Sequence, residues 1–243
     1  HATVTVRSEP GYHQPMSDQL VAFPEDWHRA LVLVAHPDDP EYGLAAAVAQ
    51  WTAAGKRISY ALASSGEAGI EGLTPDKAGP IREAEQRESA RIVGVHEVEF
   101  WGYPDSRIRN TPKLRNEIAD AIRWQAPDVV LTLYGGAEWG PGMPNQRDHI
   151  EFAAAVEQAY DCLDRKPRWL FCNGPEPTHA VAVKKRYVKQ AVKSLAAHRE
   201  YLSVLDPNKP VPEQAQEQVD RMTAARDDFD AEHAVAFELL RRA

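Results

Sequence analysis

The chain has 243 residues, of which 43% are hydrophobic and 26% are charged, so wholesale disorder is excluded and a sizeable core is expected. Its 28 basic and 36 acidic residues give a net charge of −8, which argues against a partner that is nucleic acid. No apolar run approaches the ~20 residues that span a bilayer, and residues 1–10 lack the apolar core of a signal peptide. Cys162 and Cys172 could pair, but we expect both to be unpaired and buried in a reducing, cytoplasmic setting.

Residues 1–28 are polar and rich in proline, and they are predicted to form an arm lying over a single α/β domain of residues 29–243. Within that domain, short apolar runs predict strands over residues 30–35, 57–64, 96–101, 128–134, 168–172 and 180–183. Helices are predicted between them over residues 43–54, 80–93, 111–125 and 148–163, and at the C-terminus over residues 187–202 and 213–241.

Strands that alternate with helices are typical of βαβ units. The pattern therefore predicts a Rossmann-like three-layer α/β fold with a mostly parallel sheet. Because ligands of such sheets bind at the carboxyl ends of the strands, the functional residues are expected in the loops that follow Ala35, Ser64, Trp101 and Tyr134.

The loop after the first strand reads His36-Pro37-Asp38-Asp39-Pro40-Glu41. It lacks the glycines of a dinucleotide-binding loop, which disfavours a nucleotide-dependent dehydrogenase. Imidazole and carboxylate together suit a divalent ion such as Zn²⁺ or Fe²⁺. The same residues also make a good helix start, with Asp39 as N-cap and Pro40 at the first position, so helix capping is an equal alternative.

A second polar cluster, residues 145–149, follows the fourth predicted strand and opens the next helix. A catalytic zinc site usually needs three protein ligands and one open position, and His149 lies where a third ligand is expected. The alternative is again helix capping, by Asn145 or Asp148, with His149 merely exposed.

These motifs resemble those of the PIG-L/LmbE-like family of metal-dependent N-deacetylases. Residues 35–39 (AHPDD) match the family's A-H-P-D-D signature, and Asp148-His149 matches the end of its H-P-D-H signature. Weaker matches follow the family's order, at Arg82 to Glu85, at residues 93–95, at the Gly102-Tyr103-Pro104-Asp105 turn and from Lys193 to His198. The resemblance covers residues 31–202 of this chain.

The resemblance implies three metal ligands, which are His36, Asp39 and His149. The ion would be Zn²⁺, with Fe²⁺ as the alternative. Asp38 would be the general base, and Asp148 would orient a neighbouring histidine or water. Arg82 and Asp105 match positions that contact the polar substrate in some members.

Gln146 is the main departure from the family pattern, because it stands where the H-P-D-H signature has its first histidine. The resemblance implies that this histidine stabilises the oxyanion or protonates the leaving amine. A glutamine can donate a hydrogen bond but cannot deliver a proton. Gln146 is therefore expected to assist the oxyanion only, and the acid role passes to Asp38 or another group.

Trp139 lies in a glycine-rich segment, residues 135–142, that is predicted to form a mobile lip beside the site. Because sugars are often held by aromatic faces, Trp139 is the best aromatic candidate for substrate contact. Trp101 and Tyr134 are expected to pack inside the protein. His198 has two interpretations, an ordinary helix residue or a neighbour of the site.

The predicted activity is removal of an acetyl or short acyl group from an N-acylated amino sugar or its conjugate, by Asp38-assisted attack of a metal-bound water. The expected partner is that small substrate, with neither nucleic acid nor membrane, and a homo-oligomer is left open. Two alternatives remain: a metal-dependent amidase that acts on a non-sugar amide, and a non-catalytic binding module that uses the same cleft.

Overall fold

The computed structural model describes residues 19–243. The strands in this range are β1 (Val21–Ala22), β2 (Arg29–Val34), β3 (Arg57–Leu62), β4 (Glu97–Phe100), β5 (Val129–Thr132), β6 (Glu138–Gly140), β7 (Met143–Pro144), β8 (Trp169–Cys172), β9 (His179–Ala182) and β10 (Ala234–Arg242). The helices are α1 (Asp39–Gly43), α2 (Ala45–Ala53), α3 (Pro75–Ile92), α4 (Pro112–Gln125), α5 (Arg147–Asp161), α6 (Lys185–Leu195), α7 (Arg199–Leu205) and α8 (Val211–Met222).

Eight strands form one sheet in the order β1-β9-β10-β8-β5-β2-β3-β4, and β6 and β7 form a separate hairpin. The run from β8 through β5, β2 and β3 to β4 is parallel throughout. Among the described strands of this sheet, β10 alone runs antiparallel to its neighbours. The predicted α/β fold with a mostly parallel sheet is confirmed.

The helices form two layers, one on each face of the sheet. Helix α6 packs against α2, α3 and α8, and α4 packs against α5. The chain moves outward from β2 to β3 and β4, and then crosses back to β5 on the other side of β2. Because crossovers between parallel strands are right-handed, this reversal places α4 and α5 on the opposite face from α2 and α3.

The reversal also creates a crevice at the carboxyl ends of β2 and β5. The loop after β2 begins at Ala35, and the chain after β5 leads to the start of α5. In open α/β sheets this switch point is where ligands bind. The fold therefore brings His36 and His149 to the same edge of the sheet, although they are far apart in sequence.

The core is built on the central strands, which are buried because both faces of the sheet are covered. Residues 30–34 of β2 and all four residues of β5 are buried, as their continuous apolar sequences predict. The six predicted strands are confirmed as β2, β3, β4, β5, β8 and β9. The predicted helix start at residue 111 is also confirmed, since the Thr111 hydroxyl accepts a hydrogen bond from the Leu114 amide at 3.2 Å.

The predicted C-terminal helix over residues 213–241 is wrong beyond Met222. Helix α8 ends there, the charged stretch of residues 226–232 lies in a loop, and Ala234–Arg242 forms β10 between β8 and β9. Tertiary pairing overrides local propensity here, because β10 fills the gap between two strands whose main-chain groups need partners. Phe237 on this strand is fully buried.

Two other differences concern the ends of predicted elements. The predicted helix over residues 187–202 is interrupted at residues 196–198 and becomes α6 and α7. Helix α3 begins at Pro75, and Pro80 lies inside it instead of at its start.

The part of the predicted arm that the structure describes belongs to the sheet and core, and residues 1–18 lie outside the described residues. β1 pairs in parallel with β9, and Phe23 and Trp27 are buried. Both cysteines are free, as predicted, but Cys162 is exposed and only Cys172 is buried. Within residues 19–243, none of the helices combines the length and hydropathy needed to span a bilayer.

Candidate metal centre and active site

The loop after β2 turns back on itself through the carboxylate of Asp39. Its Oδ2 accepts hydrogen bonds from the backbone amides of Ala35 at 3.1 Å and His36 at 2.8 Å. Asp39 is therefore not the N-cap of α1, and neither it nor Asp38 makes a side-chain capping bond there. The capping interpretation of this loop is therefore wrong. These two bonds use only one carboxylate oxygen of Asp39, which leaves Oδ1 for another contact.

That second oxygen, Asp39 Oδ1, lies 3.1 Å from Nε2 of His149 on α5. On the β2 side, Nδ1 of His36 lies 3.7 Å from Asp39 Oδ2. His36, Asp39 and His149 each offer one ligand atom, and these three atoms lie within 4.8 Å of one another. The structure thus brings together the three residues predicted to bind the metal.

The other ring nitrogen of His36 is held by two carboxylates. Its Nε2 lies 3.0 Å from Asp148 Oδ2 and 3.2 Å from Asp105 Oδ1. Burial disfavours the charged imidazole, but these hydrogen bonds outweigh it and raise the pKa of His36 to about 10. Asp148 also accepts a hydrogen bond from the Ile108 amide at 3.2 Å, so it is fixed in place and does not cap α5.

Asp39 and Asp38 are adjacent, but their environments separate their pKa values. Burial acts to raise the pKa of Asp39, yet the neighbouring His149 and His36 hold it below its usual range. Burial raises the pKa of Asp38 above its usual range, with Arg82 opposing the shift. Asp39 is thus kept charged, as its predicted role as a metal ligand requires, whereas the raised pKa of Asp38 fits its predicted role as general base.

Asp38 has a backbone conformation that only a few residue types tolerate. Its φ is 80°, in the left-handed region, which costs about 1–3 kcal/mol for a residue other than glycine. Its side chain is buried, and its carboxylate Oδ1 lies 3.4 Å from Arg82 Nη2. Surrounding contacts therefore hold the residue predicted to act as base in a strained position.

Arg82 is only 3% exposed and binds the loops around it. Its guanidinium donates to the Gly66 carbonyl at 3.2 Å and to the Pro37 carbonyl at 2.8 Å, and it stacks on Tyr201 at 4.0 Å from the ring centroid. A side chain at Gly66 or Gly69 would collide with it, since a Cβ there would overlap Arg82 Nη1. These contacts support a loop-organising role, and the predicted substrate contact of Arg82 stays a prediction.

Asp38 is linked to a buried series of polar side chains that the sequence does not predict. The Asp38 amide donates to Gln86 Oε1 at 2.7 Å, Gln86 Nε2 donates to Glu41 Oε1 at 3.2 Å, and Glu41 Oε2 lies 3.2 Å from His198 Nε2. Gln86 and His198 are fully buried and Glu41 is 2% exposed. Of the two interpretations of His198, the structure supports the one that places it near the site.

The predicted lip forms a hairpin of β6 and β7. Trp139 lies on β6, its ring centroid 4.8 Å from that of Tyr134, and its Nε1 donates to Asn145 Oδ1 at 3.2 Å. Asn145 Nδ2 donates to the carbonyls of Tyr134 and Gly136 at 2.9 Å each, so Asn145 ties the hairpin together. Asn145 carried no stronger sequence signal than that of a helix cap.

Gln146 is the N-cap residue of α5 by backbone position, and its side chain is exposed. Its backbone amide donates to Asn145 Oδ1 at 2.8 Å. Gln146 thus lies three positions before His149, at the crevice but in contact with water. Its predicted role at the oxyanion stays a prediction.

The donor set fits a zinc or iron(II) ion. Two imidazoles and one carboxylate are typical ligands of such ions, and they leave a coordination position open. His149 Nε2 is buried, and among the described residues the polar atom beside it is Asp39 Oδ1 at 3.1 Å, in a contact that lacks hydrogen-bond geometry. Because an unpaired buried polar atom is costly, a metal ion is the group that best explains this nitrogen.

The fold and the His–Asp–His cluster define an α/β protein with a candidate divalent-metal centre at its switch point. The family model described as PIG-L: GlcNAc-PI de-N-acetylase matches residues 31–160, more than half of the chain and all three candidate ligands. The chain belongs to this family.

Known proteins similar to this chain include deacetylases. It is 27% identical over 184 residues to the probable N-acetyl-alpha-D-glucosaminyl L-malate deacetylase 2 of Bacillus anthracis, which covers 69% of this chain and 79% of that relative. Its fold is similar to that of N,N'-diacetylchitobiose deacetylase from Pyrococcus horikoshii, with a TM-score of 0.73 and 18% identity. The match covers 88% of this chain and 84% of that protein.

The same fold also occurs in a protein named for a different reaction. GalB, the 4-carboxy-2-hydroxymuconate hydratase from Pseudomonas putida, has a TM-score of 0.64 and 18% identity, covering 89% of this chain and 97% of its own. At this identity the likeness concerns the fold alone. The fold alone therefore does not determine the reaction, which depends on the residues of the site.

Proposed function

We propose that this protein is a zinc-dependent hydrolase, with Fe²⁺ as the alternative ion, that removes an acetyl or short acyl group from an N-acylated amino sugar or its conjugate. The observation that carries the proposal is the convergence of His36, Asp39 and His149, in which the buried His149 Nε2 faces Asp39 Oδ1 at 3.1 Å without hydrogen-bond geometry. Family membership and the deacetylase names of its relatives support the choice of amide hydrolysis.

The three ligands would hold the ion, which supplies Lewis acidity to the amide carbonyl when bound. Asp38 takes a proton from the attacking water as the water oxygen bonds to the acyl carbon. The side-chain amide of Gln146 donates a hydrogen bond to the carbonyl oxygen as negative charge develops there. Asp38 then passes its proton to the nitrogen as the C–N bond breaks, giving a carboxylic acid and a free amine.

Asp105 and Trp139 are proposed to contribute to substrate binding. Asp105 is next to His36 and accepts a hydrogen bond from the Ala68 amide at 2.9 Å, so its position is fixed. Trp139 is half-buried in the hairpin and offers an aromatic face of the kind that holds sugar rings. A cytoplasmic setting remains a prediction, and a homo-oligomer remains open.

The test is acetate release from two panels of amides by protein stripped with a chelator and reloaded with Zn²⁺ or Fe²⁺. The first panel contains N-acetylglucosamine, diacetylchitobiose and N-acetylglucosaminides, and the second contains N-acetylated amino acids and simple N-alkyl acetamides. The proposal predicts metal-dependent release from the sugar panel. Release from the second panel alone would favour the non-sugar amidase, and bound metal without release from either would favour the binding module.

A further inference from the structure

A single peptide unit, the one that joins Pro37 to Asp38, is held at both ends by helix α3. Its carbonyl oxygen accepts a hydrogen bond from Arg82 Nη2 at 2.8 Å, and its amide donates to Gln86 Oε1 at 2.7 Å. Arg82 and Gln86 are four residues apart, so they lie on the same face of the helix. Because a peptide group is planar, these two bonds fix its orientation.

The orientation needs such support, since Asp38 has a φ of 80°. An aspartate leaves this region readily when nothing opposes the change. Rotation of the peptide unit would swing the Asp38 carboxylate away from its present position beside Arg82. The two bonds from α3 are therefore placed where they resist the relaxation of the residue predicted to be the base.

The side-chain amide of Gln86 is itself oriented by Glu41. Its Nε2 donates to Glu41 Oε1, and the other oxygen of Glu41 faces His198 Nε2 at 3.2 Å. A carboxylate can only accept hydrogen bonds, so Glu41 requires the NH₂ group of Gln86 to face it. The carbonyl oxygen of Gln86 is then left to face the Asp38 amide.

We propose that Gln86 is a positioning residue for Asp38, which acts by locking the Pro37–Asp38 peptide unit while Glu41 sets the orientation of the Gln86 amide. This inference rests on the proposed function, in which Asp38 is the general base. Gln86 does not touch the reacting atoms. Gln86 acts by orienting the Asp38 carboxylate. Its loss should therefore change kcat and leave substrate affinity unchanged.

The first test is the Gln86→Leu substitution, which keeps the volume and removes both hydrogen bonds. We expect kcat to fall about 10- to 100-fold, with KM and Zn²⁺ affinity within about twofold of wild type. Ser89→Ala is the matched control, because Ser89 is buried on the same helix and its hydroxyl bonds Ser194 at 2.8 Å, away from Asp38. That variant is expected to keep the wild-type kcat.

A double-mutant cycle asks whether Gln86 acts through Asp38. In an Asp38→Asn background, Gln86→Leu should cause no further loss of kcat, because the group that it positions is already gone. A full additional loss in that background would overturn the proposal. So would a loss confined to KM or to Zn²⁺ affinity.

Amide hydrogen exchange separates this proposal from the proposed function, because it needs no substrate. The Asp38 amide should exchange at least about 10-fold faster in Gln86→Leu than in Ser89→Ala. If wild type releases no acetate, the proposed function fails and this rate still decides whether Gln86 holds the peptide.

Should Gln86→Leu not fold, Gln86→Asn withdraws the acceptor and leaves a polar amide. An unchanged exchange rate, or faster exchange with unchanged kcat in an active enzyme, overturns the proposal.

Discussion

His36 Nε2 lies 3.0 Å from Asp148 Oδ2, although 112 positions separate the two residues in sequence. The pair joins the loop after β2 to the first turn of α5 across the crevice between β2 and β5. Metal-binding histidines commonly donate their second ring nitrogen to a carboxylate, which fixes the tautomer and the direction of the ring. We therefore propose that Asp148 orients His36 so that its other ring nitrogen faces Asp39.

Substitution of Asp148 by Asn should weaken Zn²⁺ binding about 10- to 100-fold, because the neutral amide keeps the shape but loses the charge that orients His36. Titration of the chelator-stripped protein with Zn²⁺ measures the change. Asp161→Asn is the matched control, since Asp161 is an exposed residue at the other end of α5. Equal affinities of the two variants would show that Asp148 does not support the metal site.

Substitution of Asp38 by Asn should lower kcat by about 10²- to 10⁴-fold while the bound Zn²⁺ is retained. Asn is the suitable replacement because it tolerates the left-handed φ of 80° and cannot accept a proton. The measurement is acetate release by protein with verified metal content, with Asp120→Asn on the exposed face of α4 as control. Near-normal turnover of Asp38→Asn would remove Asp38 from the role of base.

Substitution of Gln146 by Ala should lower kcat by about 10-fold. The loss of a preorganised oxyanion donor costs about 10²- to 10³-fold, but the Gln146 side chain is exposed, so water can replace part of its contribution. Steady-state kinetics with Arg147→Ala, the exposed neighbour, as control would measure this effect. A kcat equal to that of the control would show that Gln146 takes no part in the reaction.

Local apolar runs predict the central sheet, and the family resemblance implies the candidate ligands that the structure brings together, His36, Asp39 and His149. Continuous apolar runs predict buried parallel strands, and His36 and Asp39 follow one of these runs directly. Gln86 carried no such signal. It is a polar residue in a helix, and its function depends on the position of Asp38, which only the packing of α3 against the loop reveals.

The C-terminal strand shows the limit of local signals most clearly. Residues 234–240 (AVAFELL) are compatible with a helix or a strand, and the pairing of β10 with β8 and β9 decides between them. The glycines of residues 135–142 predict a mobile lip around Trp139, and the structure has a β6–β7 hairpin there. Asn145 orders it through hydrogen bonds that no sequence pattern displays.

Substitution of Phe237 by Ala tests the position of β10, because this side chain is fully buried with its ring centroid 4.9 Å from that of Phe23. We expect the free energy of unfolding to fall by about 3–5 kcal/mol. Trp124→Ala should change it by less than about 0.5 kcal/mol, since Trp124 on α4 is 84% exposed. Chemical denaturation measures both, and a small loss for Phe237→Ala would contradict the assignment of β10 to the sheet interior.

The most direct test of the metal centre is the metal content of wild type and of His149→Ala, measured by elemental analysis after reloading with Zn²⁺. His96→Ala is the control, because His96 is exposed just before β4, at the opposite edge of the sheet. We expect about one ion per chain in wild type and in the control, and little or none in His149→Ala, as expected when one of three protein ligands is lost. Equal metal content in all three proteins, or none in wild type, would contradict the assignment of His36, Asp39 and His149 as a metal centre.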